Sequence, residues 1–443
     1  MKVTGLDGIS NHSDEDIMKP LVFLALVLGT LMFVPRITGH AADLADIKPE
    51  KAGVSSMRLE RISQLGRKYV DDGKFASIVT AVSRHGNVIH FDAHGQYGLD
   101  NDKPVAADTL FRIFSMTKPV TAVAAMILYE EGRFQMTDPV AKYLPEFRDQ
   151  KLQNGDELVD PASPMTMRQL FTHTAGLSYG WTLDNPVDLQ YRDAKLNESR
   201  DSGEFIARLA ELPLRFEPGT RYHYSYATDV LGVVVERLSG QSLDVFFRER
   251  IFEPLGMTDT FFSVPTEKMD RFASSHYWDS EANELKLVPP ENLRNYQDVT
   301  FFSGGGGLVA TITDYMRFCE MLRNGGNFNG ARLLGPKTVQ FMTSDQLTPE
   351  VRAEGRGQYP SLDFFPGQSM AMGFGVITNP GITPAISSKG ELSWGGIAGT
   401  QFWIDPEEEI IGIAMVQLFR SPWPLRFDFK VATYQALIEL NSR

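Results

Sequence analysis

The stretch Phe111-Arg-Ile-Phe-Ser115-Met-Thr-Lys118-Pro-Val-Thr-Ala-Val-Ala-Ala places a serine and a lysine three positions apart at the start of an apolar helix. Residues three apart lie on one face of a helix, so both side chains can point at the same position. Pro119 is tolerated only near a first helical turn, which puts Ser115 at the helix start, where unpaired N–H groups favour developing negative charge. The stretch predicts a nucleophile beside a possible base, although the spacing alone would arise about once by chance in a chain of this length.

The composition excludes several classes of function. A chain of 443 residues with 42% hydrophobic and 22% charged residues is typical of a globular protein with a large core. The formal net charge of -13, without a cluster of Lys and Arg, argues against nucleic acid as a partner. The single cysteine, Cys319, excludes an internal disulfide and a cysteine-rich zinc site, and its helical context predicts a small buried residue.

The first 42 residues are expected to form a signal-peptide region. An apolar run at 21–34 follows Lys19 and precedes Gly39-His40-Ala41, which resembles a small-x-small cleavage site. The acidic residues at 14–16 contradict a positive n-region, so Met18 is the expected natural start. The protein is therefore expected to be exported, periplasmic or secreted, with no stable membrane span after processing. The alternative is an uncleaved amino-terminal membrane anchor.

The hydrophobic periodicity predicts strands at both ends of the chain and helices in the middle. It predicts a helix at 54–72, a hairpin of 76–83 with 88–93, a helix after Ser115 that ends near Gly132, strands at 400–405 and 410–417, and a last helix at 427–440. The alternation of apolar and polar residues that is typical of strands is scarce from residue 138 to residue 295. The expected fold is α/β (α+β): one antiparallel sheet flanked by helices and built from both chain ends, plus an inserted all-helical domain. Two domains are expected: an α/β domain of residues 43–135 and 300–443, and a mostly helical domain of residues 136–299.

No metal or cofactor site is predicted. His90 and His94 lie in or after the second strand of the first hairpin, and without a third ligand nearby they are expected to be structural. The glycine run Ser303-Gly-Gly-Gly-Gly307 lacks a following Lys-Ser/Thr pair, so a tight turn or a close backbone contact is expected there rather than a phosphate site.

A second serine competes with Ser115 for the role of nucleophile. The stretch Gly176-Leu-Ser178-Tyr-Gly180 matches the Gly-x-Ser-x-Gly elbow, which requires a strand before the turn and a helix after it. Here a helical pattern opened by Thr166 precedes the serine, and a loop at 181–186 follows it. The context therefore favours Ser115.

The Ser115 hydroxyl needs a group that accepts its proton and later delivers it to the leaving group. Lys118 can do so if burial lowers its pKa, and a tyrosinate beside it can share the task. Tyr224 is the candidate tyrosine, because Pro218-Gly219 predicts a turn that leads into a helix at this residue. An aromatic side chain at such a junction is, on its own, more often part of the core.

Three segments, in order, give the chain a close resemblance to the serine β-lactamase superfamily of the class C and penicillin-binding type, and above all to the family VIII carboxylesterases. Ser115-Met-Thr-Lys118 resembles the Ser-x-x-Lys motif, Tyr224-Ser-Tyr226 the Tyr-x-Asn motif, and Trp394-Gly-Gly396 the Lys-Thr-Gly motif. The similarity extends from about residue 54 to the C-terminus. The resemblance implies that Ser115 is the nucleophile, that Lys118 and Tyr224 are the acid/base pair, and that the backbone N–H groups of Ser115 and Ile397 form the oxyanion hole.

The departures from these motifs bear on the substrate. Trp394 and Gly395 replace the Lys or His and the hydroxyl that hold a carboxylate in β-lactamases and D-Ala-D-Ala peptidases, and Tyr226 replaces an asparagine. Trp394, Gly395, Gly396 and Tyr226 are therefore expected to present a largely aromatic substrate surface that favours neutral esters over anionic lactams or peptides. Lys389 is the candidate for a cation from outside the motif.

The first functional hypothesis is hydrolysis of carboxylic esters with short to medium acyl chains through an acyl-enzyme on Ser115. The alternatives are acyl transfer to an alcohol, a β-lactamase or D-Ala peptidase activity, and a non-catalytic penicillin-binding sensor or scaffold. The expected partner is a small-molecule ester, no nucleic acid is expected, and the oligomeric state is left open.

Overall fold

The computed structural model describes residues 45–355 and 366–441, so the predicted signal region lies outside the described residues. The helices are α1 (Ser56–Asp71), α2 (Thr117–Glu130), α3 (Met167–Phe171), α4 (Pro186–Asp193), α5 (Ser202–Ala210), α6 (Ala227–Ser239), α7 (Leu243–Phe247), α8 (Glu253–Leu255), α9 (Ile312–Arg323), α10 (Pro336–Met342), α11 (Pro349–Gly355) and α12 (Leu425–Tyr434). Among them, none combines the length and the apolar character that crossing a membrane requires.

The strands come from every part of the described chain. They are β1 (Ala45–Asp46), β2 (Ser77–Arg84), β3 (Asn87–Gly98), β4 (Asn101–Pro104), β5 (Phe111–Arg112), β6 (Leu152–Asn154), β7 (Glu157–Val159), β8 (His276–Asp279), β9 (Glu284–Leu287), β10 (Val309–Ala310), β11 (Asn327–Phe328), β12 (Ala331–Arg332), β13 (Gln368–Met370), β14 (Gly375–Ile377), β15 (Leu392–Gly395), β16 (Gln401–Asp405), β17 (Ile410–Met415) and β18 (Leu418–Phe419).

The main sheet joins the two ends of the chain, as predicted. Its order is β1-β3-β2-β17-β16-β15-β14-β13, with β4 paired to β3. All of its pairings are antiparallel except that of β1 with β3. The junction between the amino-terminal and carboxy-terminal strands is the pairing of β2 with β17, in which Ala81 lies opposite Ile413.

Helices cover both faces of this junction, which explains why β2 and β17 are buried along their whole length. Ile78 and Val82 of β2 pack in a cluster with residues of α1 and α12. Val79 and Ala81, which point to the opposite face, pack in the cluster that includes α2 and α9. His90 of β3 is half-buried, and its Nε2 atom lies 3.0 Å from the Oγ1 of Thr80.

The helix that follows Ser115 is central to the molecule, as its sequence predicts. Every residue of α2 from Thr117 to Leu128 is buried, which is typical of a helix that is apolar all round. Cys319 in α9 is also fully buried, as predicted, and burial raises the pKa of its thiol well above the usual value.

Two predictions about the elements are wrong. The region 136–299 contains the hairpin β6–β7 and the strands β8 and β9, which form a small sheet with β18. These strands are short and partly exposed, so their sequences lack a clear alternation of apolar residues. The last helix ends at Tyr434 rather than near residue 440, because the chain turns and the Ile438 N–H donates to the Gly53 carbonyl. The division into two domains stays a prediction.

Candidate active site

Ser115 lies in the short 3-10 turn Phe114–Met116, between β5 and α2. Phe114 has a φ of 43°, a left-handed conformation that costs a non-glycine residue about 1–2 kcal/mol. Two bonds hold the turn in place: the Ile113 N–H donates to the Leu308 carbonyl at 3.1 Å, and the Tyr315 hydroxyl donates to the Met116 carbonyl at 2.9 Å. The strained turn presents the serine at the start of the buried helix.

Lys118 is enclosed one helical turn further on, with a relative exposure of 1%. Its Nζ atom lies 3.3 Å from the Oγ of Ser115 and 2.6 Å from the carbonyl oxygen of Gly305. Burial lowers the pKa of Lys118 to about 7, against the opposing effect of the nearby Asp229 carboxylate. A substantial fraction of this side chain is therefore neutral near pH 7 and able to accept a proton.

Tyr224 reaches the same hydroxyl from the segment between α5 and α6. Its Oη donates to the Oγ of Ser115 at 2.7 Å, and the Nζ of Lys118 lies 4.5 Å from the centre of its ring. The ring of His173 packs edge-on against Tyr224, with centroids 4.7 Å apart. Burial and the proximity of Lys118 keep the pKa of His173 well below its usual value, so this histidine is a neutral packing partner.

The glycine run supplies the close backbone contact that its sequence predicts. Asp229 in α6 accepts hydrogen bonds from the Ser303 Oγ at 2.5 Å and from the Gly305 N–H at 3.0 Å. A Cβ atom at Gly305 would lie 2.2 Å from the Oδ2 of Asp229, so only glycine fits. Asp229, which the sequence analysis missed, thus fixes the loop whose carbonyl contacts Lys118.

The third motif lies at the end of β15, next to Ser115. The ring of Trp394 packs 5.7 Å from that of Tyr224. A Cβ atom at Gly396 would lie 2.6 Å from the carbonyl oxygen of Ile113, so this glycine allows β15 to approach the serine turn. Ser115 and Ile397 both line the resulting cleft.

The cleft has a volume of about 600 Å³. Ser115 and Tyr224 lie on its wall together with all of the predicted third-motif residues, Trp394, Gly395, Gly396 and Ile397. Aromatic side chains that the sequence did not predict at the site also line it, namely Phe75, Trp181, Tyr222, Trp423 and Phe427. The cleft therefore combines aromatic surface with polar groups.

Tyr226 does not belong to this cleft, so the prediction that it contacts the substrate is wrong. Its side chain has a relative exposure of 6% and packs against Tyr179 and Phe205, with ring centroids 4.5 and 5.7 Å away. The reason is that Tyr226 is the residue from which α6 begins. The change of backbone direction there turns its ring into the core of the helical region.

The cations that line the active-site cleft do not include Lys389, the candidate from the sequence. Lys389 lines a separate cavity with Glu407, Glu408 and Tyr434. The active-site cleft is instead lined by Arg420 and Arg426, which the motif does not contain. Arg426 belongs to the first turn of α12 and is brought to the site by tertiary packing alone.

Ser178 is unsuited to act as a nucleophile. The serine is fully buried, and its hydroxyl donates to the Oδ1 of Asp188 at 2.5 Å while the Nε2 of His223 lies 3.3 Å away. Asp188 is in turn paired with Arg215. The helix α3 precedes the serine, as the sequence predicts, so these residues form a buried structural network without the strand that an elbow requires.

The chain belongs to the Beta-lactamase family, whose model matches residues 62–436. Protein Rv1367c of Mycobacterium tuberculosis is 34% identical over 362 residues, which cover 79% of this chain and 88% of that protein. Esterase EstB of Burkholderia gladioli is 30% identical over 386 residues, covering 82% of this chain and 91% of the esterase. These matches confirm the family resemblance drawn from the three motifs.

Solved structures share the fold of this chain. EstCE1, described as a hydrolase with promiscuous acyltransferase activity, superimposes with a TM-score of 0.73 at 26% identity, covering 85% of this chain and 99% of EstCE1. The β-lactamase-like fold is thereby confirmed, and the chain is a β-lactamase-fold enzyme related to esterases.

Proposed function

We propose that the protein is a serine carboxylesterase that uses Ser115 as its nucleophile. The observation that carries this proposal is the convergence of two proton-transfer groups on one hydroxyl: Lys118 Nζ at 3.3 Å and Tyr224 Oη at 2.7 Å from Ser115 Oγ. A hydroxyl attacks an ester only when a nearby base removes its proton. The similarity to Esterase EstB supports an ester as the substrate.

In the acylation step, the Ser115 oxygen attacks the ester carbonyl while its proton passes to the Lys118 and Tyr224 pair. The backbone N–H groups of Ser115 and Ile397 stabilise the oxyanion. Collapse of the tetrahedral intermediate breaks the bond to the alcohol, which leaves with the proton that the pair returns. Water then attacks the acyl-enzyme with the same pair as base, the acid is released, and Ser115 regains its proton.

The lining of the cleft supports substrates with short to medium apolar acyl chains. Trp181, Tyr222 and Trp394 lie beside Tyr224 on its wall, and aromatic side chains offer apolar surface in fixed positions. Acyl transfer to an alcohol is the second candidate, and the description of EstCE1 as a hydrolase with promiscuous acyltransferase activity favours it. The two reactions share the acyl-enzyme and differ only in the acceptor.

The experiment compares Ser115→Ala with Ser178→Ala on p-nitrophenyl esters of graded chain length, with nitrocefin as a β-lactam. We expect Ser115→Ala to lower kcat/KM by at least about a thousandfold, and Ser178→Ala to retain hydrolysis. Activity that survives in the Ser115 variant and is lost in the Ser178 variant would overturn the proposal. Efficient hydrolysis of nitrocefin would contradict the ester preference, and product partitioning with added methanol separates hydrolysis from acyl transfer.

We also propose that the protein is exported after cleavage near Ala41, with translation from Met18. The support is the apolar run at 21–34 with its flanking residues. Amino-terminal sequencing of the protein expressed in its full length tests this directly. A mature protein that begins at Met1, or that keeps the apolar run, would contradict it.

A further inference from the structure

Tyr224 lies in a segment without regular secondary structure, between α5 and α6. The proposed mechanism nevertheless requires its Oη to stay within hydrogen-bond distance of the Oγ of Ser115. One residue from another segment, His173, contacts the chain on both sides of this tyrosine. Resting on the proposed esterase function, we infer that His173 is a positioning residue that fixes the backbone of Tyr224 and so directs its hydroxyl at the nucleophile.

Two backbone N–H groups that flank Tyr224 donate to His173. The His223 N–H donates to the carbonyl oxygen of His173 at 2.8 Å, and the Ser225 N–H donates to its Nδ1 atom at 3.3 Å. The residues before and after the tyrosine are therefore held by the same partner. The imidazole also packs edge-on against the Tyr224 ring, with centroids 4.7 Å apart. One residue thus restrains both the backbone and the side chain of Tyr224.

The backbone of His173 adopts an unusual conformation at this point. The residue follows α3, which ends at Phe171, and has a φ of 53°. This left-handed conformation is unfavourable for a residue with a side chain, and it persists only where the surrounding contacts enforce it. Here the strained turn lets a single residue present its carbonyl and its ring to the same segment.

The same contacts assign the protonation of the imidazole. Because a backbone N–H can only donate, the Nδ1 atom that Ser225 contacts carries no proton. The Nε2 atom lies 3.4 Å from the Oγ1 of Thr228 in α6, to which its N–H can donate. Burial and the proximity of Lys118 lower the pKa of His173 well below its usual value. The ring therefore stays neutral near pH 7, with Nδ1 as the acceptor.

A displaced Tyr224 would transfer protons poorly, because its hydroxyl stands at the far end of a rigid ring. Proton transfer requires a heavy-atom distance of about 2.6–3.2 Å, and a misplacement of about 1 Å can lower a rate about a hundredfold. His173 is not among the described residues that line the cleft. The loss of its contacts should therefore lower kcat and leave KM almost unchanged.

The test compares two amide substitutions in the hydrolysis of p-nitrophenyl hexanoate. His173→Asn places an acceptor oxygen near the position of Nδ1, and asparagine tolerates a left-handed conformation. His173→Gln extends its amide toward the position of Nε2, so the Ser225 N–H loses this acceptor. Each substitution is also combined with Tyr224→Phe, which makes a double-mutant cycle with the tyrosine hydroxyl.

We expect His173→Gln to lower kcat about ten- to a hundredfold, with KM within about threefold of wild type. His173→Asn should recover most of this loss. In the Tyr224→Phe background neither substitution should lower kcat by more than about a further threefold, because the hydroxyl that His173 positions is already absent. Ser178→Ala, which removes a buried bond further along the same loop, is the control for destabilisation and should retain kcat.

Equal kcat values for the two His173 variants would overturn the inference. So would a loss that is undiminished in the Tyr224→Phe background, since a merely destabilised fold acts in both backgrounds. If His173→Gln does not fold, Thr228→Val replaces it, because valine keeps nearly the same shape and removes the hydroxyl to which Nε2 donates.

We expect Thr228→Val to lower kcat about three- to tenfold, and an unchanged kcat would overturn the inference. Failure of the esterase proposal is distinct, because the wild-type enzyme would then not hydrolyse the ester in a Ser115-dependent way.

Discussion

Lys118 donates its shortest hydrogen bond to the carbonyl oxygen of Gly305, at 2.6 Å. This carbonyl holds one hydrogen of the amine and so fixes how the nitrogen is directed. In the neutral amine the lone pair can then face the Ser115 hydroxyl, 3.3 Å away. The Gly305 carbonyl thus positions the amine, while burial lowers its pKa so that the neutral, proton-accepting form is populated near pH 7.

The first prediction concerns pH. Burial lowers the pKa of Lys118 to about 7, and only the neutral amine can accept a proton, so activity should be lost as the pH falls below this value. We expect kcat/KM to fall about tenfold per pH unit on the acid side and to be level just above it. The measurement is a pH profile on a chemically stable ester. An acid limb with a midpoint below about pH 5 would contradict the role of Lys118 as the base.

The second prediction concerns Asp229. Its charge raises the pKa of Lys118 against the effect of burial, so Asp229→Asn should lower that pKa and move the acid limb to lower pH, on the order of one unit. The asparagine oxygen can still accept from Ser303 and Gly305. A purely structural role for Asp229 would reduce activity at every pH without moving the limb. Asp149→Asn, an equal change of charge at an exposed site, serves as the control.

The proposed reacting groups could be identified from the sequence because they follow local rules. Ser115 and Lys118 share one helix face, and the glycines of the loop and of the third motif allow close approaches of backbone that leave no room for a side chain. Arg426 could not be predicted, because its place at the cleft depends on how α12 packs beside β15. Tyr226 was assigned wrongly since the start of α6 reverses the direction that an extended Tyr-x-Tyr segment would suggest.

A third prediction compares two neighbouring glycines. A methyl group at Gly395 meets the flexible end of Arg426, whereas one at Gly396 meets the carbonyl oxygen of Ile113 at 2.6 Å, next to the serine turn. Gly395→Ala should therefore be accommodated by movement of the guanidinium, with little change in Tm and in ester hydrolysis. Gly396→Ala should reduce ester hydrolysis and destabilise the fold by about 1–3 kcal/mol.

Steady-state kinetics on p-nitrophenyl hexanoate, together with thermal unfolding, separate the two glycine variants. If Gly395→Ala and Gly396→Ala lower the rate and the Tm equally, the different contacts of the two glycines do not decide how well each position tolerates a side chain.

The fourth prediction concerns the buried network around Ser178. Ser178→Ala removes the donor to the Asp188 carboxylate in a fully buried position, which should lower the free energy of unfolding by about 1–3 kcal/mol. Since this network does not touch the cleft, kcat/KM should stay within about threefold of wild type. Chemical denaturation and an ester assay on the same samples check both values. A large loss of activity at unchanged stability would reinstate Ser178 as a functional residue.

The pairing of β2 with β17 has a consequence for how the protein is made. All three sequence motifs have been synthesised once Gly396 has been added, yet the strand that joins the two ends of the sheet, Ile410–Met415, comes later. A nascent chain that stops at β16 contains Ser115, Lys118 and Tyr224 but lacks the strand that pairs with β2. The main sheet can therefore be completed only when synthesis is almost finished.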